Sequence, residues 1–304
     1  MILEIIDAKD FDFHQMHQLM KIAFEERKSS SVEIPSAESL EQKYCDSPQA
    51  SRIASVKSMG RLIAINGLLP IETSISLGRE ISWMSCDTAT HPEFRGLGLF
   101  KKCILGLEET LKKGDLICGF PNENSLPGFV KFGWKPIKEI NLFYSSKSLL
   151  ECKDFMVTKA EVFSEDMPCN FDHGIYKSLN YLNWRYSKIR SNYLYFQINY
   201  QGESLHVVGK KFKISMIEIL VILEVISTPK FKNEKILQAL RNLAHLEKTG
   251  GLLLGEKFGK LGPVKVPHFV NKRPIVFAGK RIGLADWDAK NEDWNLSLGD
   301  FDAL

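Results

Sequence analysis

At 304 residues the chain is long for one compact core and comfortable for two. Its 44% hydrophobic and 25% charged residues belong to an ordinary globular protein and exclude a disordered or low-complexity chain. A formal charge of +3 is too slight to argue for nucleic acid as a partner.

The first residues, Met1-Ile2-Leu3-Glu4-Ile5-Ile6-Asp7, carry acids inside a short apolar run with no basic leader, and read as a strand over 2–7 and not as a signal peptide. A helix is predicted over about 11–27, with Phe13, Met16, Met20 and Phe24 on one face, then a polar loop through Ser29-Ser30-Ser31 and a short helix near 36–45. Strands near 51–57, 61–76 and 79–90 form a meander. A helix over 97–113, a strand over 115–120, a helix over 124–132 and a strand over 134–144 complete a β-α-α-β-β-β-α-β-α-β order.

Residues 145–171 mix Ser, Lys and acids around one predicted strand, Phe155 to Phe163, and mark the expected boundary between two lobes, 1–148 and 149–304. The second half starts with a predicted helix over 172–186, then strands near 193–200, 204–211 and 215–226. A helix over 232–247 with Ile236, Leu237, Leu240, Leu243 and Ala244 inward follows, then strands near 251–257 and 275–279. The order echoes that of the first half. The longest apolar stretch, Ile214 to Ile226, is broken by Ser215, Glu218 and Glu224 and is too short to span a bilayer, so a cytoplasmic protein without a membrane partner is expected.

Six cysteines, at 45, 86, 103, 118, 152 and 169, form no Cys-x-x-Cys pair and have no nearby His at zinc spacing, so no metal is expected. Cys86, Cys103 and Cys118 fall on predicted core elements and read as small buried hydrophobes.

The segment Thr88-Ala89-Thr90-His91-Pro92-Glu93-Phe94-Arg95-Gly96-Leu97-Gly98-Leu99-Phe100 carries the functional signal. It joins a β-branched strand to an amphipathic helix with Leu97, Phe100, Ile104, Leu107 and Leu111 at helical spacing. Glycines at 96 and 98 permit backbone angles that a Cβ forbids, and the helix start aims free N–H groups and its positive dipole end at the same space. Such a turn suits a pyrophosphate, with Arg95 adding a positive charge at its mouth. It is not a P-loop, lacking Gly-Lys-Ser/Thr, nor does its spacing match a Rossmann fingerprint.

His91-Pro92-Glu93-Phe94-Arg95-Gly96-Leu97-Gly98 resembles the acetyl-CoA signature of the GCN5-related N-acetyltransferases (GNATs). A second block, Asn122-Glu123-Asn124-Ser125-Leu126-Pro127-Gly128-Phe129-Val130-Lys131-Phe132-Gly133-Trp134, is similar to the family's Asn-x-x-Ala-x-x-x-Tyr-x-x-x-Gly-Phe run. The resemblance implies an α/β fold with a mixed sheet for residues 1–148, and a second GNAT-like lobe in 149–304 without the phosphate loop, where only Thr228-Pro229-Lys230-Phe231 stands. It implies acetyl-CoA as acyl donor, with the backbone of Thr88, Ala89 and Thr90 pairing with the pantetheine arm. Residues Arg95, Gly96, Leu97, Gly98, Leu99 and Phe100 would hold the pyrophosphate. Asn122 would touch the pantetheine or phosphate arm, or else cap the next helix.

Two departures from the family pattern stand out. Phe100 replaces a small residue, so its ring is expected to turn into the core. Phe129 stands where the family often has a Tyr that protonates the departing thiolate, and a phenyl ring donates no proton; a thiolate with a pKa near that of free Cys can leave unassisted.

Asp87, near the end of the central strand, is the expected general base, with Glu72 and Glu80 as alternates; the competing reading of Asp87 is a structural, hydrogen-bonded acid. His91 is expected to be a turn residue, and Cys86 adjoins the acetyl site. Trp184-Arg185-Tyr186 and the run Trp294 to Asp302 join aromatic rings to acids, a combination that holds sugars or cationic amines, and Asp300 and Asp302 are the expected acceptor contacts. The reading is an acetyl-CoA-dependent N-acetyltransferase acting on a small amine, an amino sugar or nucleotide-linked amino sugar first, by direct attack in a ternary complex, with the second lobe closing the acceptor cleft. A different acyl donor, a peptide amine acceptor, or a non-catalytic CoA-binding module are the alternatives.

Overall fold

The computed structural model describes residues 1–24, 34–76, 78–160, 163, 173–187, 191–214, 216–227, 231–267, 274–288 and 293–301. The chain divides into two compact units: Met1–Lys138 with Val276–Asp293, and Glu139–Ile275 with the run from Trp294 to Phe301.

In the first unit, Ile2–Asp7 (β1) leads through a short turn to helix α1, Phe13–Phe24. The Asp12 carboxylate accepts the His14 and Gln15 N–H groups and starts that helix, which buries Phe13, Met16, Leu19, Met20 and Ala23. Helix α2, Ala37–Cys45, is capped in the same way by the Ser36 hydroxyl, which accepts from Ser39 N. The meander follows as Arg52–Ser58 (β2), Arg61–Ile75 (β3) and Gly78–Thr90 (β4). Helix α3, Leu99–Glu108, then leads to Leu116–Gly119 (β5), helix α4, Leu126–Lys131, and Lys135–Ile140 (β6).

Helix α3 ends five residues before its predicted limit at 113. The Thr110 hydroxyl donates to the Leu107 carbonyl at 2.7 Å, and the N–H groups of Thr110 and Leu111 reach carbonyls three residues back. These bonds tighten and close the helix. Its inward face, Leu99, Cys103, Ile104 and Leu107, packs with Ala54, Val56, Ile63, Leu68, Ile117, Phe129, Trp134 and Ala278 in one core.

The sheet order is β1-β2-β3-β4-β5-β15-β6, where β15 is Ile275–Arg281. This strand, read in the sequence as part of the second lobe, pairs antiparallel with β5 from Ala278↔Gly119 to Arg281↔Leu116. The predicted strand over 134–144 is two strands. After β6 the Asn141 N–H leaves the ladder for the Glu256 carboxylate at 3.0 Å, and Phe143–Ser146 (β7) joins the second unit's sheet. The single division at 148/149 therefore differs from the compact units, which interleave along the chain.

The second unit carries Met156–Ala160 (β8), Leu194–Tyr200 (β10), Glu203–Ile214 (β11), Ile217–Ser227 (β12), Gly251–Leu254 (β13) and Val264–Lys265 (β14), in the order β14-β7-β13-β12-β11-β10-β8. Helix α6, Asn233–Leu246, crosses over between the parallel pair β12 and β13 and buries Ile236, Leu237, Leu240, Leu243 and Ala244. The helix predicted over 172–186 is shorter: His173–Ile175 (β9) pairs in parallel with Trp294–Asn295 (β16), and helix α5, Leu179–Arg185, starts where the Ser178 hydroxyl caps Tyr181 N. No helix among the described residues is long and apolar enough to cross a membrane.

Candidate functional site

Strands β4 and β5 are parallel and paired at Trp83↔Ile117, Met84↔Cys118 and Ser85↔Gly119. Among the described residues that pairing ends there, while β4 runs on to Thr90 against β3. Gly119 stands at the fork, where a Cβ would lie 2.7 Å from the Ser85 carbonyl oxygen. Parallel strands that separate at their carboxyl ends leave a crevice suited to a ligand with its own amide groups.

The other side of β4 is bulged. Ile65 faces Ala89 but Gly67 faces Cys86, so Asp87 and Thr88 crowd opposite Asn66. Asp87 takes the left-handed region at φ 49°, an uncommon conformation for a non-glycine residue. Asn66 is fully buried and holds the distortion, its Nδ2 donating to the Thr88 hydroxyl and, at 3.0 Å, to the Ser85 hydroxyl.

One oxygen of Asp87 accepts from Lys43 Nζ at 2.5 Å and from the Tyr44 hydroxyl at 2.7 Å. Both donors sit at the end of α2, and the Lys43 and Asp87 side chains are 5% and 11% exposed. The Tyr44 hydroxyl is also 3.3 Å from Cys86 Sγ. It fits because residue 67 is glycine, where a Cβ would stand 1.8 Å from it. Burial, with the Asp87 charge adding to it, pushes the Tyr44 phenol well above its ordinary range, so Tyr44 stays a proton-bearing donor to the carboxylate.

Past Thr90, His91 anchors the turn: its N–H donates to the Ile63 carbonyl at 2.8 Å and its Nδ1 accepts from Glu93 N. Its Nε2 is 2.6 Å from Arg61, and the ring is buried. Gly96 and Gly98 take φ values of 81° and 73°, and a Cβ at either would meet nothing within 4 Å. Backbone conformation, not crowding, demands glycine there, and the space above the loop is open.

Among the described residues, no backbone carbonyl accepts from the N–H groups of Gly96 through Lys101. The loop and the α3 N-terminus thus present a set of unspent donors, the chemistry that a pyrophosphate needs. Arg95 is exposed at the same turn, with Nη2 donating to the Ala23 carbonyl in the last turn of α1 at 2.8 Å.

Phe100 turns into the core as expected, its ring 5.1 Å from Phe129 and lying where a Cβ on Gly128 would be 2.6 Å from it. Phe129 is buried between Phe100 and Trp134. Asn122 uses its side-chain oxygen to accept from Asn124 N and Ser125 N, which fastens the turn into α4. Burial pushes the Cys103 thiol up to about 12, which keeps it protonated inside the core.

Glu72 and Glu80 pair with Arg79 and Arg281, at 3.7 Å and 2.9 Å. Glu80 precedes Asp87 by seven positions on β4, about 23 Å at about 3.3 Å per residue, and Glu72 faces Ile81, so neither acid is brought beside Asp87. Asp300 is 1% exposed, held by Lys177 inside the second unit, and is not a solvent-facing acid. Asp302 lies outside the described residues. Lys43, Tyr44 and Asn66 were not singled out in the sequence: Lys43 reads as a solvated helix lysine, and nothing local marks the other two. Among the described residues no three His, Cys, Asp or Glu side chains are grouped to hold a metal ion.

No protein-family model and no curated protein matches the sequence. Solved structures do match the fold. A probable N-acyltransferase of Enterococcus faecalis aligns at 12% identity over 93% of this chain and 73% of its own, with a TM-score of 0.62. A GCN5-related N-acetyltransferase of Anabaena variabilis aligns at 8% identity over 93% and 73%, with a TM-score of 0.63. A tandem GNAT protein from the clavulanic acid biosynthesis pathway aligns at 12% identity over 94% of this chain and all of its own, with a TM-score of 0.57. The chain therefore has the fold of the GCN5-related N-acetyltransferases in its two-lobe, tandem form.

Proposed function

We propose that the chain is an acetyl-CoA-dependent N-acetyltransferase that acetylates a primary amine of a small acceptor, an amino sugar or nucleotide-linked amino sugar first among them. The observation that carries this reading is the fork between β4 and β5 opening beside a glycine loop whose N–H groups are unspent. Residues 95–100 bind the pyrophosphate, and the β4 edge at Thr88, Ala89 and Thr90 receives the pantetheine as a neighbouring strand, with one N–H left for the thioester oxygen. The amine attacks that carbonyl directly, a tetrahedral oxyanion forms, and the CoA thiolate departs. Asp87, at the bulge, takes the proton that the amine must lose. No phenol stands at position 129 to meet the thiolate, and its pKa lets it leave as the anion.

The same buried Phe129 supports a second reading, a CoA-binding module without chemistry. Release of CoA thiol from acetyl-CoA across amino sugars, nucleotide amino sugars, polyamines, amino acids and peptides separates the two. Turnover with one class, lost in Arg95→Ala and Gly98→Trp, establishes the enzyme and its acceptor. Tight acetyl-CoA binding with no turnover on any amine establishes the module, and turnover with another acyl-CoA corrects the donor.

A further inference from the structure

The second unit repeats the fork. β12 and β13 are parallel and paired at Ile219↔Gly251, Leu220↔Leu252 and Val221↔Leu253, after which β12 continues to Ser227 against β11. It also repeats the bulge: Val208 faces Glu224 but Gly209 faces Ile222, which leaves Leu223 as the extra residue on β12. The first unit's acyl slot has its counterpart here, between the far half of β12 and the end of β13.

A later segment of the chain lies against this slot. Leu298 packs over Gly255, the residue after β13, where a Cβ would be 3.3 Å from the leucine Cγ. The Ser297 hydroxyl donates to Glu224 of β12 at 2.7 Å. Gly299 lies so close to β12 that a Cβ would stand 2.8 Å from the Glu224 carboxylate and 1.8 Å from the Tyr186 hydroxyl. One short segment thus touches both prongs of the fork.

The segment is also latched. Lys177 Nζ donates to Glu224 at 2.7 Å, to Ser297 and to Asp300, with all three charged side chains at most 6% exposed. Burial works against the Lys177 charge, but the Asp300 and Glu224 carboxylates more than offset it and raise its pKa. Arg185 donates twice to the Gly299 carbonyl, at 3.1 Å and 2.8 Å, and Tyr186 donates to Glu224 at 2.8 Å. Polar groups bonded to this extent inside a core have one geometry available to them.

We propose that the segment 296–301 is a built-in occupant of the second lobe's strand fork, latched by Lys177 between Glu224 and Asp300, so that the chain takes one CoA and takes it in the first lobe. The stoichiometric half rests on the CoA reading above; the occupancy half does not.

Two measurements test the halves apart. In calorimetric titration of the full chain with acetyl-CoA, one site per chain is expected, abolished by Gly98→Trp; two sites per chain, or one that survives Gly98→Trp, overturn the proposal. A chain that binds none refutes the CoA reading and leaves the decision to the second measurement. There, Leu298→Cys is alkylated with N-ethylmaleimide and read on the peptide that carries it. Labelling at least about 10-fold slower than in the urea-unfolded chain is expected, and adding Lys177→Met should raise the rate by about 10-fold. Asp300→Asn takes the place of Lys177→Met if that variant does not fold. Labelling as fast as in the unfolded chain, or a rate indifferent to the latch, overturns the occupancy.

Discussion

Lys280 Nζ lies 2.5 Å from Glu108 Oε2, joining β15 to α3 across 172 residues of sequence. The other oxygen of Glu108 accepts from the Trp134 indole at 3.1 Å, and Lys280 donates further to the Phe132 carbonyl at 2.9 Å. Glu108 is thus the common acceptor of a half-buried lysine and a buried indole. Its replacement by Ala leaves the buried indole without its acceptor and Lys280 with only the Phe132 carbonyl, and is expected to cost about 2 kcal/mol, the scale of one unsatisfied buried donor. Lys280→Met leaves the carboxylate its indole donor and should cost less. Urea midpoints of the two variants check the order.

Asp87→Asn keeps an acceptor for Tyr44 and removes the charge. If Asp87 takes the amine proton, kcat falls about 100-fold, the lower end of what general base catalysis contributes, while the KM for acetyl-CoA stays within about threefold. Equal loss in Lys43→Met, with the acidic limb of the kcat/KM profile shifted, would show that Lys43 positions the carboxylate. An unchanged kcat in Asp87→Asn removes it from the reaction.

Gly96→Ala and Gly98→Ala meet no steric obstacle, so their cost is the left-handed backbone alone, about 1–2 kcal/mol each. A loop that responds by turning its N–H groups away loses acetyl-CoA affinity by more than it loses stability. Titration calorimetry beside thermal unfolding reads both.

Alkaline pH weakens the fold in a defined window. Burial raises the phenols of Tyr44, Tyr181, Tyr186 and Tyr195 above their ordinary 10.0, and Lys177 is raised above 10.5 by Asp300 and Glu224 against the cost of its burial. Below pH 10 folded and unfolded chains hold these protons alike. Above it the unfolded chain loses them first, so stability falls as pH rises from about 10 toward the folded values. Urea midpoints between pH 8 and pH 11 should be flat and then drop, and less steeply in Tyr195→Phe.

The parts of this molecule visible in its sequence are those with local causes. The β4 run, the two glycines and the α3 periodicity need only neighbours in the chain, and they place a loop between β4 and α3 where the structure has one. The inward turn of Phe100 followed from volume alone. Partners fixed by tertiary packing were not visible. Nothing near Lys43 or Tyr44 tells of Asp87, 44 and 43 residues away. The alternation over 134–144 is that of a strand, and no periodicity says that its two ends belong to different sheets. Asp300 carried the composition of a ligand-binding acid, and its lysine partner lies 123 residues earlier.

The place of β15 between β5 and β6 sets the order in which this protein can be made. A growing chain that has emerged as far as β6 has the glycine loop and its helix but an open gap in the sheet beside β5, with Glu108 and the Phe132 carbonyl lacking their lysine. The first unit is completed only after most of the second has been synthesised, and the second in turn waits for the run that starts at Trp294. A gene cut after residue 148 would yield a chain with an unsatisfied strand edge, a template for self-association.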